Sequence, residues 1–366
     1  MELTHLSLRG YRNLEPLDLD FPSGITVLWG RNAQGKTNLL ESVYLCCLGR
    51  SHRPLREQNL IREGETQAFV GARVRQRDGI HTVEIALSAP HKKAIRVNGT
   101  AIRRMSELMG HTTAVIFSPE DLQLIREGPS ARRRFMDTTL SQIYPSYCLN
   151  LQQYHKALAS RNDLLRTAAH QPEQKEMLFV WDEQLADLGS RLVLARRDFL
   201  ENLACMAGDI HSSVSDGHEK FLLEYNPDIT GEDGQDIRQN LLSALERSRE
   251  RDLRLQSTQA GPHRDDMEVL LNGSSARNQA SQGQVRTCAI SIKLAQMHWM
   301  KQATGEMPIL LLDDVYSELD RSRRELLQKT ISGAQTILTC TDMDTAVLPQ
   351  DGTAQVLRMD AGRIYH

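Results

Sequence analysis

The sequence predicts an α/β fold: a sheet-bearing head whose chain is interrupted by an inserted helical lobe. Three observations predict it. A short apolar strand, Ile25-Thr26-Val27-Leu28-Trp29, runs into a glycine-bearing loop and then into a helix beginning near Thr37. Strand patterning stops near residue 130, where helical patterning rich in Arg, Glu, Gln and Ala takes over. After Gly261 the strand pattern resumes with Met267–Leu271, and after Pro308 comes Ile309-Leu310-Leu311-Leu312, the continuous apolar run of a buried parallel strand. These shifts divide the chain into 1–129, the first part of the head; 130–256, the helical lobe; and 257–366, the rest of the head.

In order along the chain, His5–Gly10 and Leu17–Phe21 read as short strands ahead of the strand at 25–29. From Phe69 to Val97 three runs alternate with period two, and Asn98-Gly99 supplies a favoured hairpin turn, so this stretch reads as an antiparallel meander. Pro145, Pro172 and Pro227 punctuate the lobe. Its longest proline-free piece, Glu173 to His211, carries Leu178, Trp181, Leu185, Leu188, Leu192, Ala195, Phe199, Leu203, Met206 and Ile210 at three- and four-residue steps. That is one apolar stripe, the mark of a bundle helix.

The 366 residues, 40% hydrophobic and 25% charged, are ordinary for a globular chain and exclude a disordered or collagen-like one. A net charge of −3 removes the overall basic signature of a nucleic-acid binder, so any such contact must come from a local patch. Only 9 of the 44 basic residues are lysines, and arginine's planar fork suits bidentate phosphate contacts. Six cysteines are scattered without a CxxC pair, which points to a reduced chain with no zinc site. With no signal-like N-terminus and no apolar run of membrane-spanning length, a cytoplasmic protein without a membrane partner is expected.

Gly30-Arg31-Asn32-Ala33-Gln34-Gly35-Lys36-Thr37 fits G-x-x-x-x-G-K-[ST] completely, between a strand and a helix, where phosphate binding needs it. Backbone N–H groups of this loop, with Asn38 beyond it, would cradle the phosphates of ATP; Lys36 would reach the β and γ phosphates and the Thr37 hydroxyl would ligate Mg²⁺. The strand Ile309–Leu312 delivers Asp313 to the same sheet edge, where it would hold the magnesium. Asp314 then stands where a carboxylate would poise the attacking water, or serves as a helix cap. Ser281-Gln282-Gly283-Gln284 precedes an apolar helical run and is read either as a helix cap or as a phosphate-binding element. Ser317-Glu318-Leu319-Asp320 follows the two acids.

Taken in order, a P-loop, an S-x-G-Q element, a strand ending in two acids and an S-x-L-D loop resemble the ATP-binding-cassette superfamily, and imply an ABC-type P-loop ATPase head with an inserted helical lobe. The resemblance narrows to the RecF family, carried by Leu6–Leu14, the P-loop, Ser51-His52-Arg53, Phe117–Leu122, Arg132–Asp137, Gly261–Asp266, SQGQ, Leu310–Asp320 and Thr339-Cys340-Thr341-Asp342. It implies an ATP-dependent DNA-binding protein of recombinational repair that dimerises around two ATPs, engages gapped DNA, and acts with RecR and RecO in loading RecA. It also implies that Ser281, Gln282, Gly283 and Gln284 cap the γ-phosphate of the opposite subunit, and that Arg12 approaches the nucleotide. Ser51–Arg53 becomes a candidate lid, and Ser118, Glu120 and Asp121 a link to the lobe. Asp314 stands where transporter cassettes carry glutamate, and residues 339–342 lack their histidine, so slow hydrolysis is expected. A transporter ATPase subunit and a short SMC-like DNA tether are the alternatives.

Strand alternation places Val70, Ala72 and Val74 inward and Arg73, Arg75 and Arg77 outward, with Arg96 on a neighbouring strand. This face is a candidate for sequence-independent contact with duplex phosphate, or is a solvated face paired with Glu84 and other acids.

Overall fold

A computed structural model of the chain describes residues 1–53, 57–89, 92–168, 172–342 and 354–365. The first elements are β1 (Glu2–Arg9), β2 (Leu17–Asp20), β3 (Ile25–Trp29), α1 (Lys36–Leu48), β4 (Gln67–Gln76), β5 (Gly79–Ser88), β6 (Lys92–Val97), β7 (Thr100–Ala101) and β8 (Ala114–Phe117). Helices α2 (Gln123–Arg126), α3 (Pro129–Ile143), α4 (Pro145–Ala168) and α5 (Leu178–Val214) follow, then β9 (Phe221–Asn226), α6 (Gly234–Leu255), β10 (Asp266–Leu271), β11 (Ser274–Ser275) and α7 (Ala276–Gln279). The chain closes with α8 (Gln282–Thr304), β12 (Ile309–Asp313), α9 (Arg321–Thr330), β13 (Thr336–Cys340), β14 (Gln355–Asp360) and β15 (Arg363–Tyr365).

These elements form two compact units: Met1–Leu122 with Ser213–Gly217 and Ala289–His366, and Gln123–Ser212 with His218–Cys288. The division differs from the sequence boundaries at 129/130 and 256/257, because residues 123–129 and 257–288 sort with the lobe. For the second boundary the reason is strand pairing: β10 lies antiparallel to β9 from Asp266↔Asn226 to Leu271↔Phe221, so the strand that seems to return to the head completes the lobe's own three-stranded sheet, β11-β10-β9.

The first unit contains two six-stranded sheets. In the antiparallel sheet, β2-β1-β4-β5-β6-β7, alternate residues Leu3, Leu6, Val70, Val74, Val83, Ile85 and Ile95 are buried. Asn98 and Gly99, at φ 50° and 78°, make the tight turn between β6 and β7. In the other sheet, β15-β14-β3-β13-β12-β8, every pairing is parallel except that of β15. Both β12 and β13 are buried at all positions, as strands covered on both faces must be. Helix α1 packs against β4 and β5 on one side and β8, β12 and β13 on the other. A helix between two sheets has no wet face, which is why Leu39–Leu48 is buried throughout, Glu41 included. Burial pushes the Cys46 thiol up to about 12, leaving it a packing group with little thiolate.

In the second unit, α5 spans 37 residues, roughly 55 Å. Its buried face includes the expected Leu178, Leu185, Leu188, Leu192, Phe199 and Leu203, but also Asp182, Arg196 and His211. Buried charge here is paired. Arg161 donates to Asp182 and Asp252, both at 2.7 Å. Arg132 holds Asp266 bidentately at 2.7 and 2.8 Å. Arg196 joins Asp137 and Asp265, both at 2.8 Å, so two of the specific sequence blocks, Arg132–Asp137 and Gly261–Asp266, meet inside this unit as a network of ion pairs.

His263 gives this unit a pH dependence. Its Nε2 lies 3.1 Å from the Thr258 carbonyl oxygen, so that nitrogen carries the proton, and Nδ1 accepts from the Tyr154 hydroxyl at 2.8 Å. Burial drives its pKa down to about 4, against the opposing hydrogen bond to Thr258. Between the ordinary histidine value and about 4 the unfolded chain therefore binds more protons than the folded one, so stability is lost as pH falls through that window. The loss should approach roughly 3 kcal/mol at the low end. Urea unfolding from pH 7 to 4.5 should show it, and His263→Gln should flatten that part of the profile; an unchanged slope would remove His263 from the account.

Candidate nucleotide site

The P-loop leaves β3 at Trp29 and enters α1 at Lys36. Gly30 and Gly35 adopt φ 155° and 109°, and a Cβ on Gly30 would lie 2.2 Å from the Met359 carbonyl oxygen on β14. Lys36 Nζ donates to the carbonyls of Gly30 and Arg31, spanning the loop at 2.5 and 2.9 Å. Burial pulls its pKa down, against Asp314, Cys340 and Asp313, which hold the charge. Gln34 fastens the other side of the loop: its carbonyl accepts from Gly362 N–H at 3.0 Å and its Oε1 from Ala361 N–H at 2.5 Å, both in the β14–β15 turn. Gly362 at φ 79° leaves no room for a side chain, because a Cβ would meet the Asn13 carbonyl oxygen at 2.1 Å.

Asp313 ends β12 beside the loop. Its Oδ1 accepts from Thr37 Oγ1 at 2.8 Å and from Thr339 Oγ1 at 2.9 Å. Burial raises this carboxyl and the two hydroxyls partly offset it. Thr339 also accepts from Asp314 N–H at 2.9 Å. Asp314 sits at φ 52°, and its Oδ1 is buried with no hydrogen-bond partner among the described residues. The Thr37 hydroxyl and the Asp313 carboxylate, brought together at the end of β12, are hard-oxygen donors, which fit Mg²⁺ with water completing its shell. The cleft at this point, about 400 Å³, is lined by Asn32–Asn38, Arg53, Pro119, Asp313, Asp314 and Thr339.

The structure thus brings together Gly30–Asn38, Asp313 and Asp314 as expected from the sequence. Arg53, which donates to Asn38 Oδ1 at 3.2 Å, and Pro119 bring the Ser51–Arg53 and Phe117–Leu122 blocks to the same cleft. Arg12 differs. Its guanidinium is claimed by the buried Glu41, at 2.8 Å through Nε and 2.7 Å through Nη2, and by the Asn59 carbonyl at 2.8 Å. Burial raises the Glu41 carboxyl, yet hydrogen bonds from Arg12 and Ser51 outweigh it and hold the group below its usual range. Asn13, next in sequence, is the residue that touches the loop, through Ala33 O and the Asn38 side chain.

Ser281 to Gln284 lie in the second unit, at the start of α8. Ser281 N–H donates to Gln284 Oε1 at 2.8 Å and Gln284 N–H donates to Ser281 Oγ at 3.2 Å, a reciprocal capping box. Ser281 and Gln282 are exposed. The cap reading of this tetrapeptide is therefore present, and an accepting serine hydroxyl still has its own proton to donate.

The arginine face is mixed. Arg73, Arg75 and Arg96 are exposed, but β4 ends at Gln76 and Arg77 falls in the turn beyond it, so the strand carries two of the three expected arginines. Arg75 lies 3.3 Å from Glu2, and the register sets Arg96 opposite Glu84.

Residues 2–356 match the family described as "RecF/RecN/SMC N terminal domain". A protein of Acetivibrio thermocellus named "DNA replication and repair protein RecF" is 39% identical over 369 residues, covering all of both chains. The chain belongs to the RecF family. A second RecF, from Symbiobacterium thermophilum, is 39% identical over 371 residues, covering all of this chain and 98% of its own. A solved structure of "the recombination mediator protein RecF-ATPrS in RecFOR pathway" superposes with a TM-score of 0.92 at 35% identity, covering 99% of this chain and 97% of that one. The Smc head of Pyrococcus furiosus, at 15% identity and a TM-score of 0.55, shares the fold. Family and fold place this chain among the ABC/SMC-type proteins of DNA replication and repair. No helix among the described residues is long and apolar enough to cross a membrane.

Thr339 and Gln34 are the parts of the RecF-type site that sequence reasoning left without a particular role. Thr339 reaches Asp313 because β13 lies parallel to β12 with Asp313↔Thr339 in register, a pairing between distant segments that no local pattern announces. The Gln34 side chain is tied to the β14–β15 turn, again a contact between distant segments.

Proposed function

We propose that this chain is an ATP-switched DNA-binding protein of recombinational repair. It binds ATP with Mg²⁺ and dimerises head to head around two nucleotides. In that state it holds gapped or junction DNA, acting with RecR and RecO to promote RecA loading, and slow hydrolysis releases it. The convergence of Lys36, Thr37, Asp313, Asp314 and Thr339 on one cleft carries this reading, supported by similarity to RecF over the whole chain.

Lys36 exchanges its two carbonyl partners for phosphate oxygens, so the loop is already folded around the position the phosphates take. Thr37 Oγ1 and Asp313 would hold the metal, which when bound would supply positive charge beside the phosphates. Asp314 Oδ1, buried and unpartnered, accepts a hydrogen bond from the attacking water. Aspartate is one methylene shorter than glutamate and reaches that water less well, which makes turnover slow and leaves nucleotide binding as the switch. Ser281 of one protomer covers the γ-phosphate held by the other, donating the proton that its capping bond leaves available. Arg73, Arg75 and Arg96 add phosphate contacts that position DNA without reading sequence.

Asp314→Asn tests the division of labour. ATP affinity should stay within about threefold of wild type while turnover falls by roughly 100-fold or more, the usual worth of a positioned base. Light scattering should then find the variant trapped as a dimer with ATP, and sedimentation should find it retained on gapped DNA. A variant that stays monomeric with ATP, or that loses ATP as completely as Asp313→Asn does, would sink the assignment.

A further inference from the structure

The orientation of Ser281 is set by a hydrogen-bonded chain that runs back to a buried imidazole. Gln284 closes the capping box with Oε1 and donates through Nε2 to Glu219 Oε1 at 2.8 Å. Glu219 Oε2 in turn lies 2.9 Å from Nε2 of His211, on α5. The His211 ring is fully buried and stacked on Phe221, with centroids 4.8 Å apart and planes at 17°. His211, Glu219, Gln284 and Ser281 all belong to the second unit, so the chain is internal to one compact body.

An amide has one accepting end and one donating end, whereas an ionised carboxylate only accepts. Glu219 therefore allows Gln284 a single orientation, with NH₂ toward the carboxylate and Oε1 toward Ser281 N–H. A flipped amide would set its NH₂ against that N–H and its oxygen against Glu219, opening the box at both ends. Ser281 Oγ accepts from Gln284 N–H, so its own O–H is left to donate to another acceptor.

We infer that Glu219 is a positioning residue for Ser281: acting through Gln284, and itself fixed by His211, it holds the serine hydroxyl and the first N–H groups of α8 in the arrangement that receives a phosphate. The inference rests on the proposed role of Ser281 as the cap on the partner's γ-phosphate. It adds a residue far from the P-loop in sequence to the machinery of ATP-dependent dimerisation, without giving it any contact with nucleotide.

An exchange of the two side chains separates this role from simple packing. Gln284→Glu alone sets a second carboxylate against Glu219 and should raise the ATP concentration at half-dimerisation by roughly tenfold, the equivalent of one hydrogen bond. Glu219→Gln combined with Gln284→Glu restores the chain with its direction reversed: the carboxylate now at position 284 accepts from Ser281 N–H, as in an S-x-x-E box, and from the new amide at position 219. The double variant should recover to within about threefold of wild type, while ATP affinity measured at a protein concentration too low for dimers stays level across the set. All three proteins keep the side-chain volumes, so misfolding does not confuse the comparison; Glu219→Leu, where it folds, should behave like Gln284→Glu. Ser281→Arg is run beside them. If Ser281→Arg fails to dimerise and the double variant is no better than Gln284→Glu, or Gln284→Glu dimerises as wild type does, the role of Glu219 is overturned and that of Ser281 survives. If Ser281→Arg itself dimerises normally with ATP, both fall together.

Discussion

Lys36→Met should lose tight ATP binding and keep its fold. Lys36 is 8% exposed as a residue, and its ammonium closes the loop by donating to the carbonyls of Gly30 and Arg31. In the free protein this is close to an even exchange, because two hydrogen bonds are set against the cost of holding a charge in a poorly solvated place. Methionine fills nearly the same volume with no charge to desolvate, so the unfolding free energy without nucleotide should move by no more than about 1 kcal/mol. With nucleotide the balance is one-sided. The lysine trades neutral carbonyls for phosphate oxygens, and losing such charge-assisted bonds should raise the dissociation constant for ATP by roughly 100-fold or more. Titration calorimetry with ATP and Mg²⁺, together with urea unfolding of the free protein, measures both halves. Lys36→Arg keeps the charge on a fork that does not fit the loop, so it should bind more weakly than wild type and turn over more slowly still. Near-normal ATP affinity in Lys36→Met would mean that the loop cradles something else.

What could be read from the sequence, and what could not, divides along physical lines. The P-loop was legible because its chemistry is backbone chemistry: glycines at fixed spacing between a strand and a helix, with Lys36 and Thr37 at the helix start. Asp313 was legible because an apolar run that ends in an acid is the pattern of a buried strand carrying one carboxylate to the sheet edge. Thr339 was not, since only the parallel register of β12 and β13 brings it to Asp313. The pairing of Arg12 with Glu41 was not legible for a related reason. Glu41 looks like the wet side of an amphipathic helix, and only the packing of α1 between two sheets shows that this side is buried and must bring its own counter-charge. The meander and its Asn98-Gly99 turn followed from local alternation, but the strand at Phe221–Asn226 did not stand out against the helical patterning around it. The lobe's sheet was missed with it, and its boundary fell at the wrong end of β10.

The apolar stripe on α5 was legible, but the charge buried within it was not, and that charge carries the largest expected effect on stability. Arg196 is 2% exposed. It donates to Asp137 through Nη2 at 2.8 Å, to Asp265 at 2.8 Å and to the Pro262 carbonyl at 2.7 Å, both through Nη1, and its Nε reaches the Tyr147 hydroxyl at 3.1 Å. Tyr225 and Asp228 N–H complete the shell of Asp265. Burial already lifts the Asp265 carboxyl above its ordinary range, although Arg196 and these donors pull the other way. Arg196→Met leaves two carboxylates in a poorly solvated site without their shared cation, and breaking a buried pair from one side costs roughly 3–5 kcal/mol. For a chain of ordinary stability that is a large part of the whole, so the variant should unfold at markedly lower urea, and its deficit should shrink as pH falls and Asp265, whose carboxyl burial already lifts, takes up its proton. Arg196→Lys should recover only part of the loss, because one ammonium cannot serve Asp137, Asp265 and the Pro262 carbonyl with the geometry of a guanidinium. Arg191→Met is the control: Arg191 pairs with Asp187 on the exposed side of the same helix at 2.8 Å, and should cost less than about 1 kcal/mol. If Arg196→Met unfolds no earlier than Arg191→Met, the buried network around Arg196 does not carry the stability of this unit.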